Sequence, residues 1–217
     1  MEPRSKFDRL VLTERLVEAG LTLVAEAQGF ANNDLTRARG VRNGLMIALL
    51  ALCPIRLKNF SALEIGQTFK EIQGRWWITL PRMSTKSRRA DERLVPAFLN
   101  RCIDEYLNES RPALRGSRPL TNALWISSTT GKPMTTKNFG ILISKITVET
   151  LGVDVSPHLF RTAAASTAAA YGGDTPNLAS AILHHTDPRV TEEHYNRASS
   201  VTAAAEYARI ISEFRTR

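Results

Sequence analysis

The residues best suited to chemistry lie in the C-terminal third: His158 and Arg161, then His184 and His185, then Tyr195. Imidazoles, a guanidinium and a phenol together suit phosphoryl transfer. That reaction needs a nucleophile, cations on the non-bridging oxygens, and groups that move protons at the bridging oxygens. No acidic metal-binding cluster accompanies them, so Arg and His groups would stand where metal ions otherwise do. Each residue also has a plainer use. His158 and Arg161 are three apart and share a face in any helix, a common coincidence. A His-His pair is more often surface or core than catalytic. His184, His185 and His194 could bind zinc, but no Cys or acidic partner stands at ligand spacing. A lone tyrosine most often packs on an amphipathic helix.

The elements that must position these groups are mainly helical. Apolar residues Phe7, Leu10, Val11, Leu16, Leu21 and Val24 recur at helical spacing and predict one or two helices over 6–30. A mostly buried helix is predicted over 36–53, ended or kinked by Pro54, and a short one over 57–63. Trp76 to Leu80 is aromatic and β-branched and reads as a strand, with Leu94–Val95 as its short partner. The hairpin tip between them is basic: Arg82, Lys86, Arg88, Arg89 and Arg93. An amphipathic helix follows over 97–107 and a Pro/Arg-rich loop over 109–119. A short strand is expected at Leu124–Ser127, then a turn at Gly131-Lys132-Pro133. The next helix covers 135–150, contains Lys137, and is capped by Thr135 or Thr136. From 158 the chain is Ala-rich and helical. Further helices are expected over 176–184, 190–197 and 200–215. The fold class is α+β, mainly α with one small antiparallel β-sheet.

Composition sets the partners. The 217 residues suffice for one domain with a full core, and 43% apolar with 23% charged residues excludes a disordered chain. Net charge is +8, which suits a polyanionic partner, although a merely basic surface gives the same number. Cys53 and Cys102 show no metal or disulfide spacing and fit a reducing, cytoplasmic setting. The first residues carry no signal-peptide core, and the longest apolar run, Leu45 to Cys53, is too short to span a bilayer, so no membrane partner is read.

Several strings now combine. Pro157-His158-Leu159-Phe160-Arg161 resembles the H-x-x-R box of the tyrosine recombinase, or phage integrase, family. Ile182-Leu183-His184-His185-Thr186-Asp187-Pro188 is similar to its L-G-H-x-x box, and Thr191 to Tyr195 to its closing T-x-x-x-Y element. Upstream, Ala51 to Phe60 resembles the family's first-arginine box, with Arg56 as the arginine. Lys86 follows on the basic hairpin. There are departures: His184 replaces Gly, Thr162 a frequent His, and Asn59 a frequent acidic residue. Tyr195 also stands one position further from His185 than is usual in the family.

The resemblance implies the catalytic-domain fold of those enzymes and a site-specific DNA recombinase or integrase. Tyr195 would attack a DNA phosphate to give a 3′-phosphotyrosine and a free 5′-hydroxyl. Arg56 and Arg161 would clamp the non-bridging oxygens, and His185 would add a hydrogen bond. His158 would assist proton transfer at the tyrosine oxygen. Lys86 would protonate the leaving oxygen, with Arg88 and Arg89 as alternatives beside the phosphate. Religation would need no ATP, metal or other cofactor. Double-stranded DNA would be the partner, touched also by Arg82, Arg88, Arg89, Lys132 and Lys137. Self-association on DNA, as a tetrameric synapse, would use the helix at 200–215. The expected organisation is an N-terminal helical extension over 1–35 and the catalytic domain over 36–217, without the N-terminal clamp domain of full recombinases. The competing readings are a catalytically silent or regulatory DNA-binding protein on this fold, a type IB topoisomerase, and an unrelated basic helical regulator. The last lacks a helix-turn-helix signature.

Overall fold

The structure is a computed structural model that describes residues 11–29, 34–86 and 88–171. The helices expected over 176–184, 190–197 and 200–215 lie outside the described residues.

Two helices open the fold, α1 (Thr13–Gln28) and α2 (Asp34–Leu52). Every residue of α2 from Gly44 to Ala51 is buried, so the C-terminal half of this helix is apolar on all sides and sits in the core. Its neighbour α1 lies along it and buries Leu16, Val24 and Ala27. The two backbones approach closely at a glycine pair. A Cβ on Gly44 would come within 2.4 Å of the Gly20 carbonyl oxygen, and one on Gly20 within 2.7 Å of the Ala48 nitrogen. The helical part of residues 1–35 is thus packed into the same core as α2. Pro54 ends α2 as expected, and α3 (Leu57–Ser61) comes after a short turn.

Three antiparallel strands come next, β1 (Phe69–Ile72), β2 (Arg75–Leu80) and β3 (Asp91–Leu94), in the order β1-β2-β3. The β2–β3 pair is the expected hairpin, but β3 starts earlier than the predicted Leu94–Val95, at Asp91, which pairs with Leu80. Its sequence, Asp-Glu-Arg-Leu, hides the strand because the buried position is a carboxylate rather than an apolar group. The first strand was not expected. Gln73 and Gly74 join it to β2 in a two-residue turn with φ of +51° and +73°, the left-handed geometry that matches strand twist.

The chain then runs helically through a 3-10 turn (Ala97–Leu99), α4 (Asn100–Glu105), a π turn (Tyr106–Ser110) and α5 (Arg111–Arg115). The loop expected over 109–119 is therefore helical up to Arg115. Pro112 lacks an amide hydrogen and normally stops a helix, but it comes just after the wider π turn, where the regular ladder is already displaced. The expected strand at Leu124–Ser127 joins no sheet. It makes one single bridge, Ile126 with Pro133, just after the bridge of Glu64 with Ala123, and delivers Leu124, Trp125 and Ile126 to the core. Gly131 turns the chain with φ of +61°, where a Cβ would meet Arg118 Cδ at 2.5 Å. The Thr135 hydroxyl accepts from the Asn138 amide at 3.2 Å and caps α6 (Thr136–Leu151), as predicted. The last described helix is α7 (Pro157–Tyr171), whose Phe160, Ala163 and Ala165 are buried and which packs on α1, α2 and α6. The fold is mainly helical with one small antiparallel sheet. Among the described residues, no helix is long and apolar enough to cross a membrane.

The Gly20–Gly44 approach makes a prediction. Gly44→Ala should lower the unfolding free energy by about 1–3 kcal/mol through overpacking, read from the urea midpoint. An unchanged midpoint would mean the helices are not in contact there.

Candidate active site

The site is built on the break after α2. The Cys53 amide still donates to the Leu49 carbonyl at 2.8 Å, and the Ile55 amide turns back onto the Cys53 carbonyl at 2.7 Å around Pro54. Arg56 then takes an extended conformation, with φ of −63° and ψ of 140°, at the entry to α3. Its carbonyl accepts from the Asn59 and Phe60 amides at 2.9 and 3.0 Å. Ile55 and Phe60 are buried on either side, so the backbone of Arg56 is fixed while its side chain is half-buried.

Arg161 reaches this turn from α7. Its guanidinium donates through Nη1 to the Pro54 carbonyl, across 107 positions of sequence. Helix-breaking Pro54 leaves that carbonyl without a helical partner, and Arg161 supplies one. Burial pushes the Arg161 pKa down to about 10. The Arg56 and Arg93 charges push the same way, and Asp91 opposes them. Arg161 thus remains a cation at neutral pH, at a cost to the fold. Between about 10 and its ordinary 12.5 the unfolded chain holds a proton that the folded chain has released, so its contribution to stability rises with pH there.

On β3, Asp91 accepts from Arg93 Nε and Nη2, both at 2.9 Å. Three guanidiniums and one carboxylate therefore act together here and leave two positive charges among the described residues. Two partly desolvated charges of this kind suit a tetrahedral oxyanion. Cys53 lies beside them, its thiol pushed up to about 12 by burial, and it is free, as is Cys102.

The remaining sequence-predicted residues occupy the helix start, the hairpin loop and two exposed turns. His158 is exposed at the start of α7, one helical turn from Arg161. Lys86 is exposed on the loop between β2 and β3, with Arg82, Arg88 and Arg89. That loop is organised rather than open. The Thr85 hydroxyl bonds the Arg82 and Arg89 carbonyls at 3.2 and 2.6 Å, and Arg82 Nε donates to the Arg88 carbonyl at 3.3 Å. Lys132 is exposed on the Gly131 turn and Lys137 in the first turn of α6. The structure brings Arg56 and Arg161 together, sets His158 one turn away, and hangs Lys86 from the strand that carries Asp91 and Arg93. His184, His185, His194 and Tyr195 lie outside the described residues. Among the described residues, no three His, Cys, Asp or Glu side chains gather as a metal site.

Sequence reasoning read Arg93 only as one more hairpin cation and passed over Asp91. The available signal was the i, i+2 spacing of Asp and Arg, which puts both on one face of a strand. Arg42, a deeply buried guanidinium, has a structural task, since it donates to the Ile126 carbonyl at 3.0 Å and to Asn43.

A family model, that of the phage integrase family, matches residues 21–201. The chain belongs to the phage integrase family. Its fold is that of the tyrosine recombinases. The XerH site-specific recombinase, solved bound to its difH substrate in a pre-cleavage complex, superposes with a TM-score of 0.61 at 18% identity over 86% of this chain. The XerA recombinase superposes with a TM-score of 0.57 at 19% identity over 95% of this chain. The chain spans 49% and 64% of the length of those two proteins. No curated protein matches it by sequence.

A doubly positive, partly buried site should bind a free oxyanion. Inorganic phosphate should stabilise the chain against heat more than chloride does at equal ionic strength, by roughly 1.4 kcal/mol at about tenfold above its dissociation constant. The Arg56→Ala, Arg161→Ala double variant should lose that gain. Persistence of the gain would place the anion elsewhere.

Proposed function

We propose that this chain is the catalytic part of a tyrosine-type site-specific DNA recombinase, acting on double-stranded DNA. The observation that carries the reading is the convergence of Arg56 and Arg161 on the Pro54 turn, in a chain whose His158-to-Arg161 box opens a helix. Tyr195 is the nucleophile. Its phenolic oxygen bonds to phosphorus, the bond to the 5′ oxygen breaks, and that oxygen leaves as a hydroxyl. Arg56 and Arg161 carry the charge on the non-bridging oxygens, where planar guanidinium forks fit phosphate. His185 adds a hydrogen bond there. His158 takes the proton from the phenol and Lys86 gives one to the leaving oxygen. The phosphotyrosine retains the energy of the broken diester, so a 5′-hydroxyl can reverse the step and rejoin the strand. Arg82, Arg88, Arg89, Lys132 and Lys137 bind the DNA backbone. Residues 36–217 with α1 form the catalytic unit, and copies associate on DNA through 200–215.

A pool of nicked duplexes, randomised around the nick, tests the reading. The chain should form a covalent adduct with DNA on a denaturing gel, and Tyr195→Phe should abolish it. Arg161→Ala should slow adduct formation by about 10²- to 10³-fold, the usual effect of removing one transition-state charge donor. An adduct that survives in Tyr195→Phe would overturn the assignment. DNA retained without any adduct would leave a silent DNA-binding protein. Binding should weaken steeply with salt, because each neutralised phosphate releases counterions, and salt-independent binding would speak against the DNA contacts.

A further inference from the structure

The structure carries a buried ion pair for which the chemistry above has no role. Asp91 and Arg93 stand two apart on β3 and leave the same face of the strand. Their contact is bidentate, with both distances at 2.9 Å, and their side chains keep only 8% and 11% of their exposure. A pair this buried contributes fixed geometry more than stability. Both charges act on Cys53 and on Arg161. Cys53 directly precedes Pro54, whose carbonyl holds Arg161, and Arg56 comes two residues after Pro54. The pair thus stands within electrostatic reach of Arg161 and of Cys53, the residue that leads into the Pro54 turn. It also stands at the end of the strand ladder, where Asp91 pairs with Leu80, and so closes the base of the loop that carries Lys86.

We propose that Asp91 and Arg93 are positioning residues, which hold the Pro54 turn, Arg161 and the Lys86 loop in the one geometry that meets a DNA phosphodiester; the proposal rests on the recombinase reading. Three guanidiniums repel one another, and among the described residues Asp91 is the carboxylate that acts on Arg161. Without it Arg93 becomes an unpaired cation beside two others, and the cheapest relief is for the side chains to move apart. The fork fixes Arg93 in two bonds, which an ammonium cannot reproduce. A shift of about 1 Å in phosphate-binding groups is enough to cost on the order of a hundredfold in rate.

The test uses the 217-residue chain and the duplex that it captures covalently from the randomised nicked pool. That duplex is remade with a neutral methylphosphonate at the mapped junction, which removes the charge that Arg56 and Arg161 serve. Asp91→Asn and Arg93→Lys should each slow adduct formation on the ordinary phosphate at least about tenfold, with noncovalent DNA affinity changed less than about threefold. On the methylphosphonate the loss should shrink markedly, because the arginines no longer have a charge to meet. Asp91→Asn leaves a buried cation and can fail to fold, so the neutral pair Asp91→Asn, Arg93→Gln is measured beside it, and circular dichroism reports the fold. Wild-type rates in the folded neutral-pair variant would overturn the proposal. An equal loss on phosphate and methylphosphonate would do so too, since that is what a purely structural role gives. If the wild-type chain itself forms no adduct, the recombinase reading has failed and the proposal falls with it. If it forms one and the variants match it, only the proposal has failed.

Discussion

The site depends on one hydrogen bond, from Arg161 to the carbonyl of Pro54. Proline has no amide hydrogen and ends α2, and the chain that leaves the helix exposes carbonyls that the ladder no longer uses. One of them receives a guanidinium from α7. The bond does two things. It satisfies a buried acceptor, and it removes rotamer freedom from a long side chain, whose ordering costs up to about 2 kcal/mol. Arg56 leaves the same turn, two residues after Pro54. The turn is held in its own right by Ile55 and Phe60, which are fully buried.

That arrangement is costly to the fold. Burial and neighbouring cations lower the Arg161 pKa to about 10, well below the ordinary value for arginine. The Asp91 carboxylate offsets part of this and is itself fixed by the Arg93 fork. A site of this kind is preorganised for an anion, because most of its desolvation and ordering cost is met on folding and little is left for binding. Among the described residues the charge balance of Arg56, Arg93, Arg161 and Asp91 is positive.

The rest of the fold keeps the turn rigid. Phe60 of α3 stacks on Trp125 at 5.3 Å and meets Phe139 of α6 edge-on at 5.4 Å. Trp125 donates its indole hydrogen to the Phe60 carbonyl at 2.9 Å, and Tyr106 of the π turn donates to the Leu124 carbonyl at 2.7 Å. These rings clamp α3 between segments far apart in sequence. On the other side, the Gly20–Gly44 approach and the small residues of α7 let helices close on α2. Arg56 and Arg161 are thus set by packing around them as much as by their own contacts.

The sequence by itself determined the helices α2, α6 and α7, a threonine cap on α6 at 135 or 136, and the basic hairpin. These depend on local chemistry: a continuous apolar run, a hydroxyl at a helix start, a proline at its end, and residue types at fixed spacing. It did not reveal β1, the course of the helix past Pro112, or the part played by Asp91. The first two are tertiary decisions, since a short mixed strand exists only against its partner and a π turn only where packing rewards it. Asp91 was harder to read than its spacing from Arg93 suggests, for a sharper reason. A buried carboxylate looks like a surface residue until the cation that pairs with it is seen, and only the folded strand shows Asp91 held by Arg93 and acting on Arg161.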